Sequence, residues 1–217
     1  MDTTTVILRM RDVAIALGVA GSHGQSLNRI RLQKFVYLMD AVAVIFKVLP
    51  LTDGYYTFKH GPFDPAVQNA VDSLAFRGLV SITSLHAAEE GTVSAVYTLS
   101  VGGQNWFQKL GDDQAMADRI KIGNAVAERV DRLGWWRLRE LVYAEPTFLK
   151  ARTAGYGRHL APHKGRDVST ARLLQVIMRA LRLGNIEPTR DSVLDAYFDY
   201  LDRYAKQRHH AVPAEDQ

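Results

Sequence analysis

The chain has no cysteine among its 217 residues, which excludes a disulfide framework, thiolate metal sites and a cysteine nucleophile. It also lacks a long apolar run. The longest, Phe35 to Leu49, is interrupted by Asp40 and Lys47 and falls short of the roughly 20 residues that a membrane-spanning helix requires. The N-terminus, Met1-Asp2-Thr3-Thr4-Thr5, places no basic stretch ahead of an apolar one, and Arg9, Arg11 and Asp12 break the first apolar run. The expectation is a cytoplasmic protein with no membrane partner.

The motifs of common chemistries are missing as well. Neither GxxxxGK[ST] nor GxGxxG occurs, and Gly102-Gly103 and the separated glycines between 18 and 24 form no phosphate-binding loop. There is no GxSxG elbow, no HExxH and no kinase set. His159 and His163 have metal-pair spacing only on a continuous helix, and Pro162 lies between them in a Gly-rich loop. Asp112-Asp113 fall in an inter-helical linker, where helix capping explains them. These residues predict no catalytic group, metal site, cofactor or small-molecule substrate, and so a protein that is not an enzyme.

What is present is a chain 47% hydrophobic and 23% charged, enough to bury a core in one domain or two small ones. The net charge of +4 is unevenly placed. Lys150 to Arg182 holds eight cations against the single acid Asp167, which leaves the remainder net acidic.

Apolar spacing predicts a helix over about Thr5–Val19 and a second, apolar on most faces, over about Leu27–Val48. Tyr55 to Lys59 reads as a short strand and Gly61-Pro62 as a turn. Asp64-Pro65 is a strong helix start, because the carboxylate can accept from the open amides and proline fits the first helical position. That helix reaches Arg77 and is capped by Gly78, and Leu79–Ile82 and Val93–Leu99 form a hairpin around Glu89-Glu90-Gly91. Helices follow at about Val101–Leu110, Gln114–Leu133, Trp135–Tyr143, Ser169–Leu183 and Arg190–Gln207. The expected fold is mostly α with a small β-hairpin: an N-terminal winged-helix domain over 1–111, a helical domain over 112–207 and a disordered tail over 208–217.

Several binding candidates stand out. Arg29, Arg31 and Lys34 sit near the start of the second helix, where the macrodipole disfavours cations; they either face an anionic partner or are solvated at the domain edge. Gln68, Asn69 and Arg77 point outward from the helix that would enter a major groove, but Asp64, Asp72 and the acidic wing tip make a poor footprint for phosphates. Arg158, Lys164 and Arg166 lead into a helix whose Arg172, Arg179 and Arg182 lie opposite Leu173, Leu174, Ile177 and Leu181. This basic face suits nonspecific contact with DNA, or complements acidic surface elsewhere. Asp40, within an apolar run, is turned to the surface, paired with a cation such as Arg31 or Lys59, or in contact with a partner. Trp135-Trp136 either anchor the helical part on the first part or form a binding patch.

The stretches Arg31-Leu32-Gln33-Lys34-Phe35-Val36-Tyr37-Leu38, Lys59-His60-Gly61-Pro62-Phe63 and Leu74-Ala75-Phe76-Arg77-Gly78-Leu79-Val80 together resemble a broad set of bacterial proteins. That set holds the Panacea-type antitoxins, related to the antitoxin SocA, and the middle components of ABC three-component defence systems, including the small subunit of Lamassu. The helical continuation with Leu141-Val142-Tyr143-Ala144-Glu145-Pro146, and Phe63-Asp64 after Gly-Pro, look more like a middle component. The resemblance implies a non-catalytic subunit bridging an SMC- or Rad50-like ATPase and a nuclease effector in defence against phage or plasmid. Its alternatives are an antitoxin or proteolytic adaptor that neutralises a toxin, and a winged-helix transcriptional regulator.

Overall fold

Helix ends are set by side chains that satisfy the open amides of the first turn. In the computed structural model, residues 3–48, 54–87, 93–161 and 170–211 are described. They form α1 (Thr3–Ser22), β1 (Leu27–Asn28), α2 (Arg29–Val42), β2 (Tyr55–Phe58), β3 (Gly61–Phe63), α3 (Pro65–Phe76), β4 (Val80–Ala87), β5 (Val93–Leu99), α4 (Val101–Leu110) and α5 (Gln114–Leu133). After these come α6 (Leu138–Tyr143), α7 (Pro146–Thr153), β6 (His159–Leu160), α8 (Thr170–Leu183) and α9 (Arg190–Ala211). Asn28 caps α2 by accepting from the Arg31 N–H at 2.9 Å, and Asp64 caps α3 by accepting from the Ala66 N–H at 2.8 Å. Asp113 and Glu145 do the same for α5 and α7, the latter with Pro146 at its first position.

The described residues are mostly helical, with two small antiparallel sheets among them rather than one hairpin. In the first, β5 lies between β4 and β1, with Leu27 opposite Tyr97 and Val80 opposite Leu99. A bulge separates Ile82 from Ser84. The second sheet has β2 between β3 and β6. Its pairing of Phe58 with Gly61 places the reversal at Lys59-His60, so Gly61-Pro62 belongs to a strand and not to the turn expected from the sequence.

Helix α2 is the central element, with every residue from Leu32 to Val42 buried. It is shorter than its apolar pattern suggested, because residues 43–46 tighten into a 3-10 turn that ends on Lys47 in a left-handed conformation. One buried cluster takes side chains from Val13 through to Ala205, on both sides of the 111/112 boundary expected from the sequence. Glu145 ties three elements together: it accepts from the Tyr37 hydroxyl on α2, from the Thr170 hydroxyl on α8 and from the Phe148 N–H at 2.9 Å on α7. Trp135 stacks on Phe35 with ring centroids 5.5 Å apart and is the anchor; Trp136 is 69% exposed beside it. Helix α9 continues to Ala211, into the segment expected as a disordered tail, and 212–217 lie outside the described residues.

Candidate functional site

The Gln33-Lys34 pair of α2 holds the β2–β3 hairpin and the start of α3 by their backbones. Gln33 Nε2 donates to the Asp64 carbonyl at 3.0 Å, while its Oε1 accepts from the Asp64 N–H at 2.9 Å. Lys34 Nζ donates to the His60 carbonyl and sits 5.5 Å from the centre of the Tyr143 ring. Gly61 makes this close approach possible. Its φ of +112° suits glycine, and a Cβ there would lie 3.2 Å from Lys34 Nζ and 3.1 Å from the Tyr143 ring edge. The three sequence blocks Gln33-Lys34, His60-Gly61-Pro62 and Asp64-Pro65 are thus one packed unit.

A groove of about 500 Å³ opens on this unit. Its apolar lining comes from Ile30, Phe58, Pro62 and Phe63, and Phe58 packs on Phe63 with centroids 5.5 Å apart. Phe58 is 55% and Ile30 38% exposed. The charged lining among the described residues is Arg29, Lys34 and Lys59, with no carboxylate among them. Arg29 lies over the Phe63 ring, 5.4 Å from its centre, so one cation is fixed at the edge of the apolar floor. Burial, reinforced by the guanidinium of Arg139, lowers the Lys34 ammonium to about 7. Burial and the nearby Lys59, Lys34 and Arg139 also lower His60, which favours its neutral imidazole.

Below the groove lies a buried charge network that Asp64 joins to it. Arg9 Nε donates to Asp64 Oδ2 at 2.9 Å, and Arg9 Nη1 donates to Asp12 at 2.9 Å and to Asp40 at 2.8 Å. Arg119 on α5 donates to Asp12 through Nε at 3.0 Å and Nη2 at 2.8 Å, and to Asp40 through Nη2 at 2.9 Å. Burial pushes Asp40 up, but Arg9 and Arg119 outweigh it and hold the carboxyl below its ordinary range. Burial prevails at Asp12, raised further by the charge of Asp40. The network pins α1, α2, α5 and the start of α3, and two guanidiniums fill the space between its carboxylates. Among the described residues, no group of three or more His, Asp or Glu side chains is arranged to hold a metal ion.

The sequence candidates separate into several places. Arg29 and Lys34 meet in the groove, although Lys34 is buried rather than facing outward at the helix edge. Arg31 is half-buried, and its backbone N–H is used by the Asn28 cap. Asn69 on α3 and Arg77 just past its end are exposed, while Gln68 donates to Asp72 at 2.9 Å. Arg158 donates through its side chain to the Ala154 carbonyl, and its N–H donates to Thr57 at 2.9 Å, beside β2. Arg172, Arg179 and Arg182 are exposed on α8, with Leu174 and Ile177 buried opposite. Lys164, Arg166 and the wing-tip Glu89 and Glu90 lie outside the described residues.

Asp40 is paired, but with Arg9 and Arg119 instead of Arg31 or Lys59. Gln33, Phe58, Lys59, His60 and the network arginines were not read as site residues. The signal for Gln33 and Lys34 was their direct adjacency in a helix that is apolar on most faces.

No helix among the described residues is long and apolar enough to cross a membrane. No protein-family model matches the sequence, and a comparison with curated proteins finds no match.

Proposed function

We propose that the chain is a non-catalytic docking subunit, which binds a partner protein through the groove between α2 and the β2–β3 hairpin. The observation that carries this reading is the groove itself: three cations around exposed apolar side chains, with no acid among the described lining residues. A surface of that kind suits protein recognition, in which an apolar contact supplies affinity and charge supplies orientation. The winged-helix reading of the first part is supported by element order, since α1, β1, α2, α3 and the β4–β5 hairpin follow one another and β1 completes the sheet on β5. Engagement of Gln68 with Asp72 takes up an amide that base reading by α3 would use, which favours protein docking over operator binding.

With the resemblance to middle components, the proposed partners are an SMC- or Rad50-like ATPase and a nuclease effector of an antiphage or antiplasmid defence system. Co-expression of the full chain with the products of its neighbouring genes tests this. The expected result is a stoichiometric complex on size exclusion, and recovery of the chain alone overturns it. Lethality of a neighbouring gene that this chain relieves would instead establish the antitoxin reading.

A second reading, nonspecific contact with nucleic acid, is favoured by the exposed arginines of α8. Arg179→Glu with Arg182→Glu should weaken duplex binding alike for all sequences and lower its salt dependence. Unchanged binding would remove α8 from the contact.

A further inference from the structure

We infer that the groove takes an acidic peptide segment in which a carboxylate stands next to an apolar side chain. The inference rests on the docking reading above and names the chemistry of the occupant. Ile30, Phe58 and Phe63 offer a partly exposed apolar floor, which solvent does not cover favourably. Arg29 is held over Phe63 at the edge of that floor, and the buried Lys34 Nζ, which donates to the His60 carbonyl, places a second cation behind the lining. Lys59 adds a third cation, and the described lining residues include no acid to neutralise them, so an incoming anion is the complementary charge.

The volume of about 500 Å³ accommodates one or two side chains rather than a tract of nucleotides. The Phe63 face is already occupied by Arg29, which removes it as a stacking platform for bases. Both features favour a peptide over a single-stranded nucleic acid.

Around Lys34 the facing groups are His60 on the hairpin and Arg139 and Tyr143 on α6. His60 is held below its ordinary value of 6.5 and Tyr143 above 10.0, so Lys34, lowered to about 7, is the member of this set that loses its charge in the interval just above neutral pH. A bound carboxylate favours the ammonium, and affinity falls as pH rises through that interval.

The test is fluorescence polarisation with the full chain and a labelled decapeptide in which Asp and Glu alternate with Phe and Leu. Two further probes replace the acids by Asn and Gln, or the apolar residues by Ser, and a thymidine 12-mer serves as competitor. The expected result is at least tenfold weaker binding of either substituted peptide, and a similar loss with Arg29→Glu or Phe58→Ser, both at exposed positions. Lys109→Glu, at an exposed position on α4, should bind as the parent does. Equal binding of the neutral peptide, insensitivity to Arg29→Glu, or displacement by the 12-mer at comparable concentration would overturn the assignment. Co-purification with the neighbouring gene products alongside failed peptide binding removes this occupant and leaves the docking reading standing. The reverse outcome removes the docking reading alone.

Discussion

Gln33 grips the backbone of Asp64 from both sides, donating to its carbonyl at 3.0 Å and accepting from its N–H at 2.9 Å. The Asp64 carbonyl also accepts from the Val67 N–H, so it keeps a partner without Gln33. Gln33→Ala should cost about 1–3 kcal/mol, the loss of a pair of buried hydrogen bonds. Urea denaturation measures it; a change below about 0.5 kcal/mol would show that the grip contributes nothing.

The buried network makes two aspartates unequal. Asp40 is held below its ordinary 3.8 because two guanidiniums outweigh its burial, whereas burial raises Asp12. Asp40→Asn should cost about 3–5 kcal/mol, since it leaves Arg9 and Arg119 short of countercharge. Asp12→Asn should cost less. The sign with pH follows from the depressed Asp40 carboxyl: its contribution is present above the unfolded value and is lost as pH falls through the lower folded value. Acid-induced unfolding of wild type against the two variants checks both points, and equal losses would contradict the assignment.

These features differ in how far a sequence reader can see them, and the physical reason is range. Asp64-Pro65 was legible because capping acts within three residues of the cap. Central burial of α2 was legible from apolar residues on every face. Arg9 and Asp12 read merely as interruptions of an apolar run, because the partners that complete them lie elsewhere: Arg119 reaches Asp12 across 107 positions and Asp40 across 79. Lys34 looked like a cation at a helix start. Its burial follows from the hairpin folding over it, which depends on Gly61 having no side chain. Trp135 and Trp136 are identical in sequence terms, and the 3-10 turn after Gly134 sends one onto Phe35 and the other to solvent.

Lys34 gives the fold a measurable alkaline dependence. Its folded value of about 7 lies below the ordinary 10.5, so between those limits the unfolded chain binds a proton that the folded chain does not. Stability from this group therefore rises with pH from about 7 towards 10.5 and is flat below 7. Lys34→Met removes the titration. The difference in unfolding free energy between wild type and the variant should change in favour of wild type from pH 7 to pH 9.5; a constant difference would place the ammonium in water.

Gly102 and Gly103 are adjacent at the start of α4, yet the structure predicts opposite responses to alanine. A Cβ on Gly102 would meet Ser100 Oγ at 3.7 Å and Leu79 Cδ2 at 3.8 Å, which is ordinary contact. Gly102→Ala then gains from helix propensity, by about 0.5–1 kcal/mol. A Cβ on Gly103 would fall inside the carbonyl oxygen of Leu79, a backbone atom that also accepts from the Ser100 N–H. The helix would have to move off the start of β4, breaking the seat that Ser100 makes by donating to the Gly78 carbonyl at 2.6 Å. Gly103→Ala should thus destabilise by about 3 kcal/mol, in the range of overpacked core sites. Thermal unfolding of the two single variants separates them: the midpoint should rise for Gly102→Ala and fall for Gly103→Ala. A matched shift would mean that α4 does not rest on Leu79.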